Sequence, residues 1–189
     1  MQKIAVFKKL LLAKKGFTLI ELLIVIAVLG VLAAVVLVAI DPAQQLARGR
    51  DSGRKTSIGQ LGRSLQAYYT SNQDYPAVVQ WKTAPNILVT FGEIKLFPSN
   101  PAYAAGGAIC NNTYKYPDGA TVNGFCYRIA TVAGTPESVI YARMESKSEN
   151  SKCPTGEVAW FVWSSADGRA GVVCSAGGEP GPGTQNFLL

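Results

Sequence analysis

Four cysteines, one isolated acid inside an apolar run and no histidine are the raw material for any chemistry in this 189-residue chain. Without histidine there is no imidazole general base, no Ser-His-Asp arrangement and no zinc site that needs an imidazole ligand. Cys110, Cys126, Cys153 and Cys174 are separated by 15, 26 and 20 residues, with no CxxC pair among them. That spacing fits disulfides better than a metal knuckle, and a cysteine nucleophile would lack an activating base. The chain has no Walker loop, no GxSxG elbow and no HExxH helix. Nothing in the spacing of Glu137, Glu145, Glu149, Glu157 and Asp167 brings two carboxylates together, so they read as solvated sheet and loop residues. The expectation is a protein with no catalytic site, no metal and no cofactor.

The isolated acid is Glu21. It lies near the start of residues 17–40, a run whose only formal charge it is. As a helix that run reaches about 36 Å, enough for a hydrocarbon layer of about 30 Å. Five of the 18 basic residues, Lys3, Lys8, Lys9, Lys14 and Lys15, precede it with no acid among them, which places the N-terminus in the cytoplasm and the remainder outside. The remaining 13 basic and 12 acidic residues leave a net charge of only +1, against a strongly basic nucleic-acid domain.

Three readings of the run compete. An ordinary cleaved signal has a shorter apolar core, of about 7–15 residues, followed by a small-x-small site. A plain anchor explains the length and the lysines but not a carboxylate, which is costly in an apolar span unless paired. A cut between Gly16 and Phe17 would create an α-amine four residues before Glu21, able to pair with it on the same or a neighbouring chain.

The stretch Lys14-Lys15-Gly16-Phe17-Thr18-Leu19-Ile20-Glu21-Leu22-Leu23-Ile24-Val25-Ile26-Ala27-Val28-Leu29-Gly30 resembles the class III signal and N-terminal helix of type IV pilins and type II secretion pseudopilins. The likeness runs more weakly through Leu65-Gln66-Ala67-Tyr68-Tyr69 to Asp74-Tyr75-Pro76, and so covers roughly residues 9–76. It implies that a prepilin peptidase cuts after Gly16 and methylates Phe17, and that Glu21 neutralises the N-terminus of an adjacent subunit during assembly. The implied partners are other copies of the chain in a helical homopolymer, the peptidase, a pilus assembly platform and minor pilins. The implied location is the cytoplasmic membrane before assembly and an extracellular filament afterwards. Many type IVa pilins carry a proline where this chain has Val38, whereas here Asp41-Pro42 follows. A kink or unwound segment is expected between Gly30 and Pro42. The alternatives are a pseudopilin of a secretion or competence machine, and a single-span anchored protein with a binding ectodomain.

The elements that must carry these features follow from periodicity. Residues 41–75 keep a helical stripe at Ile58, Leu61, Leu65 and Tyr68, interrupted by Gly49, Gly53, Gly59 and Gly62. The basic residues Arg48, Arg50, Arg54, Lys55 and Arg63 are interleaved with Asp51 and no aromatics. They read as a solvated helix face or a lipid-headgroup interface, and any nucleic-acid contact would be non-specific. Residues 76–176 form a loop-rich and then β-rich head, with a short strand expected at 87–91. Strands at 124–132 and 137–144 flank Ala133-Gly134-Thr135-Pro136, and strands at 157–164 and 169–174 flank Asp167-Gly168. The fold class is therefore α+β, a long N-terminal helix whose second half packs on an antiparallel sheet. The outer face of the sheet would meet partners or solvent.

Alternation makes Trp160 and Trp163 face opposite ways, so a carbohydrate platform with Trp81 is less favoured than core packing. In the exported head two disulfides are expected, and of the three possible connectivities we favour Cys110 with Cys126 and Cys153 with Cys174, as neighbours in the chain. Residues 1–16 are expected as a leader that the peptidase removes, and 177–189 as a flexible Gly/Pro tail whose final Phe187-Leu188-Leu189 could dock on a groove but reads first as a frayed end.

Overall fold

The computed structural model describes residues 16–82, 85–103, 125–176 and 178–188. The chain divides after Asp41 into two units.

The first unit contains α1, Leu19–Ile40, in which no residue is buried. At 22 residues it extends about 33 Å. A helix apolar on every side and covered by no protein belongs in lipid or among the helices of other chains. Its end is set by Asp41, whose φ of 45° and ψ of 77° leave the right-handed helical region. Pro42 follows as the first residue of α2, where its missing N–H is one that no helical carbonyl would have received. The expected interruption therefore falls at Asp41. Gly30 lies within α1 and does not break it.

The second unit begins with α2, Pro42–Asn72. Its buried residues include Ala47, Asp51, Arg54, Ile58, Leu61, Leu65 and Tyr68, alternating steps of four and three along one face. The apolar end of this face rests on a four-stranded antiparallel sheet of order β1-β2-β3-β4. The strands are β1, Cys126–Val132; β2, Thr135–Arg143; β3, Val158–Ser164; and β4, Arg169–Ser175. Ile58, Leu61, Leu65 and Tyr68 share one apolar cluster with Tyr127, Ile140, Ala142, Ala159 and Trp163 from the sheet. Gly62 sits directly above the Trp163 indole, where a side chain has no room.

The first hairpin is tighter than the sequence suggests. Val132 pairs with Thr135, so only Ala133 and Gly134 form the loop, both with positive φ (49° and 85°). That geometry matches the twist of the flanking strands. Pro136 falls within β2, beyond the part that pairs with β3 from Val139 onward, where a missing N–H is tolerated.

The expected strand at 87–91 is instead a single helical turn, α4, Ile87–Thr90, because Asn86 caps it by accepting from the Leu88 N–H. With α3, Val78–Lys82, it closes the lower edge of the core: the Trp81 indole stacks on Tyr127 at 4.3 Å, and Phe97 meets Trp81 edge-on at 5.3 Å. A further turn, α5, Lys147–Asn150, links β2 to β3.

The outer face of the sheet has its own apolar cluster of Cys126, Val139, Tyr141, Trp160, Val162 and Val173, with Tyr103 and Phe187 packed against it. The C-terminal segment is thus docked, which corrects the expectation of a flexible tail. Tyr141 Oη donates to Glu179 Oε2 at 2.8 Å, the Gln185 N–H donates to Asp167 Oδ2 at 2.9 Å, and the Leu188 N–H donates to Val172 O at 2.8 Å. Composition failed here because Gly and Pro restrict or free the backbone locally, whereas docking depends on a surface assembled from four distant strands.

Candidate assembly and processing site

At the start of α1 the sequence Thr18-Leu19-Ile20-Glu21 closes a capping box. Thr18 Oγ1 accepts from the Glu21 N–H at 3.3 Å, and Glu21 Oε2 accepts from the Thr18 N–H at 2.9 Å and from Thr18 Oγ1 at 2.8 Å. The box satisfies two of the donors that a helix leaves unpaired at its start. The sequence reading gave Glu21 a single role toward an amine; the S/T-x-x-E spacing was the signal for this second one. Among the described residues Glu21 Oε1 has no hydrogen-bond partner. Gly16 and Phe17 precede the helix in backbone without regular structure, and the Phe17 side chain is 86% exposed.

Most of the basic residues of α2 are not a solvated face. Arg54 is fully buried, and its guanidinium donates to Asp51 Oδ1 (2.9 Å), Asn100 Oδ1 (3.1 Å), Pro101 O (2.8 Å) and Glu145 Oε1 (2.9 Å). The Tyr103 ring lies 3.6 Å from its central carbon. Asp51, also buried, accepts from the N–H groups of Glu145 and Ser146. Arg50 pairs with Glu145 at 2.6 Å and Lys55 with Glu149 at 2.6 Å. Three of the five cations therefore bolt α2 to the segment after β2, leaving Arg48 and Arg63 exposed. Burial pushes the Tyr103 phenol well above its ordinary pKa, against the downward pull of Arg54.

Cys153 and Cys174 form a disulfide with Cα atoms 5.5 Å apart, tying the loop before β3 to β4. Cys126 is disulfide-bonded as well; Cys110, its expected partner, lies outside the described residues. Trp81 and Trp163 are in the inner cluster and Trp160 in the outer one, so no indole is available as a platform. Glu145 and Glu149 serve α2 rather than solvent.

An exposed, capped apolar helix long enough to cross a membrane, followed by a disulfide-bonded α+β head, is the class of chain that the fold defines. The family model for the prokaryotic N-terminal methylation motif matches residues 11–37. The chain is 31% identical over 153 residues to the type IV major fimbrial protein FimA of Dichelobacter nodosus, covering 78% of this chain and 92% of that one. It is 36% identical over 116 residues to a fimbrial protein of Moraxella nonliquefaciens, covering 55% of this chain and 67% of that one. No solved structure matches.

The chain belongs to the type IV pilin family. It is a structural subunit that polymerises with copies of itself, anchored in the membrane as a precursor and extracellular as a pilus. The secretion-machine and anchored-ectodomain alternatives are not favoured.

Proposed function

We propose that the precursor is cut between Gly16 and Phe17 by a prepilin peptidase, that Phe17 is N-methylated, and that Glu21 then receives the amine of a neighbouring subunit as the chain enters the filament. The observation that carries this reading is the capping box. Thr18 and Glu21 both follow the cut, so cleavage leaves their contacts intact and Glu21 is already held at the helix start. Oε2 is occupied by Thr18, and Oε1 is the atom left for an incoming amine. In lipid or a packed helical core, such pairing offsets the cost of burying the carboxylate.

The platform and minor subunits act on this same N-terminal helix. The name of the Dichelobacter relative, a major fimbrial protein, supports a place in the shaft rather than at a tip.

The test is intact mass and N-terminal sequencing of sheared filaments and of membranes, for wild type and Glu21→Ala. Wild-type filaments should begin at methylated Phe17. The variant should be cleaved yet remain in the membrane, with filament yield down at least tenfold. Filaments that retain Met1, or a normal yield from Glu21→Ala, would overturn the reading.

A further inference from the structure

β4 is the last strand of the sheet, and its free side should be the most adhesive part of the head. It is seven residues long, and Arg169 is its only charge. Such an edge presents a row of unpaired N–H and C=O groups that templates pairing with another chain, and edges left open are normally blunted by charge, proline, a bulge or a cover. β4 has no charge, proline or bulge between Ala170 and Ser175. Among the described residues its cover is the end of the chain.

The cover is a minimal fifth strand. Phe187 forms an antiparallel bridge with Val173, and the Leu188 N–H donates to Val172 O at 2.8 Å. Gly171 provides the notch: a Cβ there would stand 2.6 Å from Phe187 Cδ1. The Arg169 guanidinium lies over the same ring, 4.4 Å from its centre. The approach is prearranged, because the Gln185 side chain donates to Gly181 O and Gly183 O while its backbone N–H donates to Asp167. Farther back, Glu179 is held by Tyr141, and Ser164 Oγ donates to Gly183 O.

We propose that residues 184–188 are an edge guard, an intramolecular strand that keeps β4 from pairing with β4 of a second copy. The partner it excludes is another head of the same chain. Antiparallel self-pairing centred on Val172 would set Ala170 to Cys174 against themselves and place each Arg169 opposite Ser175, with no like charges facing. With the guard closed, association in the membrane is left to the apolar helices. The proposal does not depend on the cleavage reading, since the guard and its edge lie wholly within the head.

The test uses the full-length protein in detergent. One variant ends at Gly183; the other, Phe187→Ser with Leu188→Pro, keeps the length but removes the ring and the one N–H donated to β4. Sedimentation gives the dimer association constant, and amide hydrogen exchange reports on residues 170–175, with Ile140 and Trp163 as controls for an intact head. Both variants should associate at least tenfold more tightly than wild type, with β4 amides exposed in dilute samples and protected again in the dimer. Association within twofold of wild type, or dimers whose β4 amides exchange freely, would overturn the proposal. So would loss of protection at Ile140 and Trp163 in both variants, which would make the tail part of the core rather than a guard.

Discussion

Gly62→Ala sets two opposing effects of known size against each other. Alanine in place of glycine in a helix interior gains about 0.8–1 kcal/mol. At this position, however, the new Cβ would run into Cγ of Trp163 and lie 2.5 and 2.6 Å from its Cδ1 and Cδ2. Carbon atoms rest about 3.5–4.0 Å apart, so the indole or the helix must move by about 1 Å. Trp163 cannot yield easily. It is 4% exposed, and its strand is paired on both sides, with Ile140 and with Ala170.

Overpacking typically costs about 1–3 kcal/mol, and three simultaneous overlaps put this case at the upper end. The net loss should be about 2 kcal/mol, a fall in Tm of roughly 4–8 °C for a chain of this size. Gly49→Ala meets nothing within 4 Å, and Gly59→Ala meets only Arg63 Nη1 at 3.8 Å. Each of these should show the propensity gain alone. The assay is equilibrium urea unfolding of the full chain in detergent, disulfides oxidised, followed by tryptophan fluorescence. A Gly62→Ala protein as stable as wild type would refute the packing argument, and stabilisation would show that propensity governs the whole of α2.

Arg54→Met should cost about 3–5 kcal/mol in the same assay, because it removes the cation from the buried Asp51 and leaves Glu145 with Arg50 alone. Arg54→Lys should recover only part of this, since a point charge cannot reach Asp51, Asn100, Pro101 and Glu145 together. Burial alone would raise the Glu149 carboxyl, but hydrogen bonds and charges from Lys55 and Lys152 outweigh it and hold the group below its ordinary value. Its contribution to stability is therefore full above the unfolded pKa of about 4.5 and is lost as pH falls through the lower folded value. Lys55→Met should move acid unfolding, followed by circular dichroism, to higher pH.

The second half of α2 and both hairpins were legible in the sequence because their signals are local and periodic. Ile58, Leu61, Leu65 and Tyr68 recur at helical steps, and Asp167-Gly168 marks a turn wherever it is placed. Extending the same stripe backward gives Arg54, Asp51 and Ala47, so charges at core-facing positions were the available sign of the buried network. The acceptors of Arg54 there, Asn100, Pro101 and Glu145, lie 46 to 91 residues away along the chain, and no local pattern names them. The turn at Ile87–Thr90 was lost to β propensity because a single cap, Asn86, decides so short a segment.

The apolar span with Glu21 near its start and the α+β class are legible from local sequence, since each rests on composition or spacing within a few turns of chain. It took the tertiary structure to decide that Arg50, Arg54 and Lys55 of α2 are bolts rather than a charged surface, that Gly62 is a seat for Trp163, and that residues 187 and 188 close on β4. The reason is physical. A charge, a glycine or a proline-rich tail has no fixed meaning until the groups it must meet, brought from distant parts of the chain, are in place to pair with it or to leave it in solvent.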